Sequence, residues 1–249
     1  MSSPTGLSPR LKHLVGVVEG ALGRAVAEAE GEALFVAVEE VRQHMVRFRD
    51  AEQARARSAA LRAAAARLGA LTPAQRLLLA RAYTLYLELV NACENAYRTH
   101  RLRGRAAPAQ GEARARVVYV MTAHPTESRS PENIRLLRRI QELLAGALDA
   151  GRDPDPAALD HLLHLLWRVG THPPHKPTVE DEADHLVSLL SDPLLGELLR
   201  LRAQGHSVLL RTWVGGDKDG HPGVGPPQTA ASLQRSRARL LGLWSNEPH

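Results

Sequence analysis

The chain has 249 residues, of which 44% are hydrophobic and 24% charged, proportions that fit a globular protein with a buried core. Its single cysteine, Cys93, excludes an intrachain disulfide framework and a zinc site made of cysteines, and favours a reduced intracellular protein. The sequence shows neither a signal peptide nor a run of about 18 apolar residues, so we expect a cytoplasmic protein with no membrane partner.

The net charge of +5 and the pI near 9.9 raise the question of nucleic-acid binding. The arginines, however, alternate with Glu and Ala along predicted helices, as in residues 52–57, without the aromatic residues that single-strand binders use. We therefore expect solvated helical faces and no nucleic-acid partner. A modest excess of arginine equally suits an enzyme with an anionic substrate.

Residues 1–103 are predicted to form an N-terminal helical region. An apolar stripe with helical spacing opens it, formed by Leu11, Leu14, Val15, Val18 and Leu22. Gly31 interrupts this pattern, and a second helical stretch ends in the alanine-rich residues 54–68. Thr72 is the predicted N-cap of a helix over 73–103. One side of that helix is expected to carry Leu77, Leu78, Tyr83, Tyr86, Leu87 and Val90.

Residues 104–115 contain Gly and Pro without periodicity and are predicted to form a flexible linker. The next segment, 116–122, is β-branched and aromatic, and its nearly continuous apolar character predicts a strand buried on both faces, as in a parallel sheet. A second strand is predicted over 207–214. Residues 116–249 are thus mainly α with a few parallel strands, the start of an incomplete β/α region.

Helix boundaries in this second region follow from local signals. Predicted helix starts lie at Ser130-Pro131, Asp155-Pro156, Thr178, Asp192-Pro193 and Gln228. The Thr178 start resembles a capping box, with Asp181 in place of the preferred Glu or Gln. Gly205 can end the helix before the second strand.

The run TAHPTE, residues 122–127, follows the first predicted strand, and its His124 is the strongest catalytic candidate. In parallel β/α folds, catalytic residues usually lie on the loops that follow the C-termini of the strands. Pro125 restricts His124 to extended backbone, and Thr126 and Glu127 are near enough to select its tautomer. Such a histidine suits general acid or base work. The alternative is a histidine that caps the next helix or fills a polar corner.

The second strand leads into a loop over 215–225 that is rich in glycine and carries Asp217, Lys218 and Asp219. Glycines let backbone amides approach a ligand closely, so the loop could hold an anion. The spacing of a P-loop is absent, and an EF-hand would need Glu where Gln228 stands. The alternative is a tight structural turn that packs against neighbouring loops.

Two histidine pairs, His161 with His164 and His172 with His175, have i, i+3 spacing. Neither pair has the carboxylate partner of an HExxH zinc motif, and the second lies in a proline-rich loop. We therefore expect no metal at either pair.

Together these segments resemble the phosphoenolpyruvate carboxylase family. The resemblance rests on VMTAHPTE at 120–127 and on GGDKDGHP at 215–222, which is similar to the family's GGDRDGNP. Two softer matches are AYTLYLELVNACENAYRTHRLR at 82–103 and KPTVEDEADH at 176–185. Order and spacing agree over roughly residues 70 to 240.

The resemblance implies a helix-rich α/β barrel, of which this chain would be the N-terminal part. It implies the conversion of phosphoenolpyruvate and bicarbonate to oxaloacetate and phosphate, with Mg²⁺ or Mn²⁺ and commonly a homo-oligomer. His124 would be the catalytic histidine, acting when carboxyphosphate breaks into CO₂ and phosphate. The supporting or anion-binding residues would be Thr126, Glu127, Arg129, Asp217, Lys218 and Asp219.

The chain departs from the family in two segments. Ser130 and Pro131 stand where the family has an Arg pair, and Arg129 comes one position early. After Trp167 the usual acidic, Arg-containing stretch is replaced by Arg168 to Pro174. The resemblance also implies that the metal ligands and later active-site residues belong to the C-terminal part of the family, so none of the metal ligands is expected in this chain.

Two functional hypotheses follow. In the first, the chain is an N-terminal piece of a phosphoenolpyruvate carboxylase, inactive alone, either from a truncated gene or from a split enzyme with a complementary C-terminal chain. In the second, it is a non-catalytic metabolite-binding protein or a regulatory partner of a full-length carboxylase.

Overall fold

The structure is a computed structural model, and it describes residues 8–104, 114–121, 129–172, 178–188, 190, 192–216 and 223–245. The helices of the first half are α1 (Pro9–Glu30), α2 (Glu32–Asp50), α3 (Ala54–Gly69) and α4 (Pro73–Arg103). They are followed by β1 (Arg116–Met121), α5 (Pro131–Asp149), α6 (Pro156–Arg168), α7 (Val179–Ser188), α8 (Asp192–Ala203), β2 (Ser207–Thr212) and α9 (Pro226–Ser245). None of the helices within these ranges is both long and apolar enough to cross a membrane.

The chain divides into two compact units by its internal contacts. Unit 1 comprises Met1–Ala106 and Glu132–Gly170, and unit 2 comprises Ala107–Pro131 and Thr171–His249. The sequence predicts one boundary at the linker 104–115, most of which lies outside the described residues. The contacts divide the chain differently, because nearly all of α5 and the whole of α6 pack with the N-terminal helices.

Local signals set the helix starts of unit 1, as predicted. The Thr72 side chain accepts a hydrogen bond from the Gln75 N–H at 3.2 Å, and the Gln75 side chain accepts from the Thr72 N–H at 3.0 Å, a complete capping box. Asp155 caps α6 by accepting from the Ala157 N–H at 3.2 Å. Gly31 separates α1 from α2, while the break between α2 and α3 at residues 51–53 was not predicted.

The core of unit 1 is a layer of aliphatic side chains from α1, α4, α5 and α6. Its fully buried members include Leu85, Leu89, Ile140, Leu144, Leu163 and Leu166. The predicted α1 stripe is confirmed, since Leu11, Leu14, Val18 and Leu22 are buried and Val15 packs against them.

Two of the leucines predicted to share one side of α4 lie away from the face that packs. Leu77 and Leu87 are 72% and 61% exposed, whereas Leu85, Leu89 and Cys93 form the buried stripe. At 100° per residue, Leu87 lies about 160° around the helix from Leu85, and Leu77 about 80°. The leucines of α4 point to several sides of the helix, so its composition alone does not identify the face that packs against the core.

Unit 2 contains a two-stranded parallel sheet in which β1 pairs with β2 from Arg116↔Ser207 to Met121↔Thr212. Both strands were predicted, although β2 ends at Thr212, two residues early. The predicted burial of β1 on both faces is wrong, because Val118 and Val120 are 40% and 45% exposed. Side chains of α7 and neighbouring segments cover the opposite face, in a cluster of Met121, Val179, Ala183, Leu186, Leu190 and Val214.

Three helix boundaries of unit 2 are confirmed, at Thr178, Asp192 and Gly205, while α9 begins at Pro226, two residues before the predicted Gln228. Thr178 and Asp181 exchange hydrogen bonds between each backbone N–H and the other's side chain, at 2.9 and 3.1 Å, which confirms the capping box before α7. Gly205, with φ +87°, follows α8 and donates its N–H to the Arg202 carbonyl at 2.9 Å. The chain then turns directly into β2.

Candidate active site at the strand C-termini

The parallel register brings the C-terminal ends of β1 and β2 to the same edge of the sheet. Met121 and Thr212 are direct partners, and the Trp213 N–H donates to the Met121 carbonyl at 3.3 Å. The TAHPTE run therefore starts one residue after Met121, and the glycine-rich run starts three residues after Thr212. This is the edge at which parallel β/α proteins assemble their active sites.

Most of the predicted site residues lie outside the described part of the chain. These are His124, Thr126, Glu127, Asp217, Lys218 and Asp219. The nearest described residues are Met121 and Arg129 for the first run, and Gly216 and Gly223 for the second. Arg129, the remaining predicted residue, is half-buried and immediately precedes Ser130.

The position of the family's Arg pair is occupied by a helix start. Ser130 is only 4% exposed, and its N–H donates to the Thr171 carbonyl at 3.0 Å. Pro131 is the first residue of α5, as predicted from its fixed φ and missing N–H. Neither residue can offer a positive charge to a ligand, so Arg129 carries the only cationic side chain among positions 129–131.

The chain leaves β2 through a tight turn. The Val214 N–H donates to the Thr212 hydroxyl at 3.1 Å, and the Gly216 N–H donates to the Trp213 carbonyl at 3.0 Å. Gly215 adopts φ +74°, a conformation that side chains with a Cβ rarely accept. A Cβ on Gly215 would also lie 2.9 Å from Ser232 Cβ, so both conformation and space require glycine here.

The first turns of α9 contact both ends of the glycine-rich run. The Ser232 hydroxyl donates to the Val214 carbonyl at 3.1 Å, and the Thr229 hydroxyl donates to the Gly215 carbonyl. At the other end, the Gly225 N–H donates to Gln228 Oε1 at 3.1 Å. Sequence reasoning did not identify Thr229 or Ser232, and their only signal is a pair of hydroxyls at i, i+3 shortly after the glycines.

Three described histidines near the predicted pairs and strands have structural partners. His164 Nδ1 lies 2.7 Å from the Asp160 carbonyl oxygen and its Nε2 lies 2.8 Å from Glu28. His206 Nδ1 accepts from the Ala115 N–H at 3.1 Å, at the N-terminal end of the strands and thus at the edge opposite the candidate site. His172 lies 3.0 Å from the Thr171 hydroxyl, and its predicted pair His175 is outside the described residues.

The described residues were also compared with the requirements of a divalent cation. Mg²⁺ and Mn²⁺ prefer several carboxylate or carbonyl oxygens. Within the described ranges, no group of three or more His, Cys, Asp or Glu side chains could hold a metal ion. The described part of this edge therefore does not fit a metal site.

Comparison with known proteins agrees with the resemblance of the motifs. The sequence model of the family described as phosphoenolpyruvate carboxylase matches residues 11–115 and 111–247. The two matched segments cover nearly the whole chain. The chain therefore belongs to the phosphoenolpyruvate carboxylase family, and it carries that family's histidine and glycine-rich runs after two parallel strands.

Individual relatives are distant and much longer. The phosphoenolpyruvate carboxylase of Burkholderia mallei (strain SAVP1) is 29% identical over 267 residues, which cover 89% of this chain and 26% of the relative. That of Paraburkholderia xenovorans (strain LB400) is 26% identical over 92% of this chain and 27% of its own length. The chain thus spans about a quarter of the length of these curated relatives.

Proposed function

We propose that this chain supplies the N-terminal part of a phosphoenolpyruvate carboxylase, which forms oxaloacetate and phosphate from phosphoenolpyruvate and bicarbonate in the cytoplasm. The observation that carries the proposal is the register of β1 with β2. Because Met121 pairs with Thr212, the two runs that are most specific to the family begin at one edge of one sheet.

In this proposal His124 is the general base. The carboxyphosphate intermediate carries a carboxyl proton, and its removal by the imidazole lets the C–O bond break to give CO₂ and phosphate. The CO₂ then reacts with the enolate of pyruvate to give oxaloacetate. General base catalysis by a positioned histidine contributes about 10² to 10⁴ in rate.

The other predicted residues have supporting roles in the same proposal. Thr126 and Glu127 set the tautomer of the histidine. Arg129 and Lys218 provide positive charge for the phosphate and carboxylate groups of the substrate, and Asp217 and Asp219 orient these cations.

The site would be completed by protein outside this chain. Two strands cannot close a barrel, so we propose that further strands complete a helix-rich α/β barrel of the family type. Mg²⁺ or Mn²⁺ would be held by carboxylates of that complementary part, which is either a separate chain or a continuation of this one. Association with further copies of the same protein is part of the proposal.

The test is reconstitution. The purified chain would be mixed with the separately expressed part of the Burkholderia mallei carboxylase that it does not match, and oxaloacetate would be measured with malate dehydrogenase and NADH in the presence of Mg²⁺ and bicarbonate. We expect no turnover by either part alone and turnover by their complex. If the two parts do not associate, a fusion protein of both parts is assayed for oxaloacetate formation in place of the complex. A folded complex or fusion without turnover would contradict the proposal.

A second candidate function is metabolite binding without catalysis. The observation that favours it is the buried Ser130 and helix-starting Pro131 at the position of the Arg pair, which leaves Arg129 as the only cation among positions 129–131. Calorimetry with phosphoenolpyruvate and with aspartate tests it. This candidate would be favoured over the first if the chain alone binds either ligand at millimolar concentration and the reconstituted complex forms no oxaloacetate.

A further inference from the structure

We infer that Thr229 and Ser232 of α9 are positioning residues for the glycine-rich run at 215–225, whose entrance they fix through their hydroxyl groups. The inference rests on the proposed function in one respect, since that function gives the run its role at the active site. The contacts themselves involve only described residues.

The first contact lies at the entrance to the run. Ser232 is 4% exposed, and its hydroxyl donates to the Val214 carbonyl at 3.1 Å. A buried carbonyl without a partner costs about as much as a lost hydrogen bond, so this bond stabilises the path that the chain takes out of β2. The side chain also fills the space beside Gly215, where no Cβ would fit.

The second contact joins the entrance to the exit. The Thr229 hydroxyl donates to the Gly215 carbonyl, and the same oxygen lies 3.2 Å from the Gly225 carbonyl oxygen. Gly215 and Gly225, ten positions apart in the sequence, therefore meet at one side chain. The Thr229 N–H donates to Gly225 at 3.1 Å, and Gln228 accepts from the Gly225 N–H, so the exit is held by backbone and side chain together.

This arrangement closes the base of the run. Holding the two ends of a segment close together limits the conformations open to the residues between them. Removal of either hydroxyl weakens the contacts at the entrance while leaving the sequence of the run unchanged. The expected consequence is more frequent opening of the contacts at Val214 and Gly215, and with it easier access of a protease to the run.

Endoproteinase Lys-C measures that opening directly. The lysines of the chain are Lys12, Lys176 and Lys218, and cleavage at each gives fragments of a different size. Lys218 lies within the run, and Lys12 on α1 provides an internal reference in unit 1. The rate of cleavage at Lys218 relative to that at Lys12 therefore measures how accessible the run is to the protease. This measurement does not require enzymatic turnover.

Two matched pairs of variants isolate the hydroxyls. Thr229→Val removes the hydroxyl at nearly constant shape, and Thr229→Ser keeps it. Ser232→Ala removes the other hydroxyl, and Ser236→Ala makes the same change one turn further along α9. We expect Thr229→Val and Ser232→Ala to raise relative cleavage at Lys218 roughly two- to tenfold, the population change from losing one ordinary hydrogen bond. Thr229→Ser and Ser236→Ala should remain near the wild-type rate.

The increase in relative cleavage at Lys218 should also be independent of the urea concentration below the unfolding transition, because local opening exposes little surface. Wild-type rates in Thr229→Val and Ser232→Ala, equal rates in Thr229→Val and Thr229→Ser, or a rise that follows global unfolding in urea would each overturn the inference. If the cleavage pattern is as expected while the reconstituted complex forms no oxaloacetate, the positioning role is supported and the proposed function is contradicted.

Discussion

His164 of α6 and Glu28 of α1 pair across two helices, with 2.8 Å between Nε2 and the carboxylate. Nδ1 of the same ring lies 2.7 Å from the Asp160 carbonyl oxygen, so both ring nitrogens face acceptors. Only the imidazolium can donate from both nitrogens. The hydrogen bond to the Asp160 carbonyl, followed by that to Glu28, raises the pKa of His164 above its usual value of 6.5.

This pair predicts a pH-dependent contribution to the stability of unit 1. Since the pKa of His164 is raised in the folded state, its contribution is fully present below about pH 6.5 and is lost as pH rises through the raised folded value. The urea midpoint of unfolding would be measured between pH 5.5 and 8.5 for the wild type, for His164→Gln and for His161→Gln, an exposed control on α6. His164→Gln should reduce the fall in stability across this range. Parallel curves for wild type and His164→Gln would contradict the assignment.

A second prediction concerns the face of α4 that packs. Leu85 is fully buried and Leu87, two residues away, is 61% exposed. Leu85→Ala should lower the free energy of unfolding by about 3 kcal/mol, because it leaves a cavity in the core of unit 1. Leu87→Ala should change it by less than about 0.5 kcal/mol. Urea denaturation followed by circular dichroism checks both, and similar effects of the two substitutions would show that the face is assigned incorrectly.

A third prediction concerns the turn after β2. Gly215→Ala should destabilise unit 2 by about 2 kcal/mol or more, since it combines a positive φ with a Cβ 2.9 Å from Ser232 Cβ. Gly216→Ala is the matched control, because its Cβ would meet only the Trp213 carbonyl at 3.6 Å. Denaturation of both variants in urea tests the difference. Equal stability of the two would be incompatible with this turn.

A fourth prediction concerns Cys93, which is fully buried on α4. Burial raises the pKa of its thiol to about 12, so almost no thiolate forms at neutral pH. Reaction with Ellman's reagent at pH 8 should be very slow in the folded protein and complete within minutes in urea. Rapid reaction without denaturant would mean that this part of the core opens readily.

Much of the fold could be predicted because its signals are local. Thr72, Asp155 and Thr178 start helices through hydrogen bonds to residues two or three positions away, and Gly31 and Gly205 end them through their own backbone freedom. These interactions depend on neighbouring residues alone, which the sequence displays directly.

The remaining features depend on contacts between distant segments. The sequence does not show that α5 and α6 complete the core of unit 1, since their apolar faces would suit any partner. It also does not single out Thr229 and Ser232, because serine and threonine are common in helices and their role appears only where Gly215 packs against them. The family motifs, by contrast, identified the candidate site although nothing in composition distinguishes His124 from other histidines.

The central proposal is that His124 acts as the general base of the carboxylation. Its most direct test compares His124→Asn with His221→Asn in the reconstituted complex. His221 stands where the family's GGDRDGNP has Asn. His221→Asn therefore makes the same chemical change at a position where the family itself has asparagine. We predict that His124→Asn lowers oxaloacetate formation at least 100-fold while His221→Asn retains most of it. Equal turnover by His124→Asn and the wild type, in complexes of equal stability, would contradict the claim.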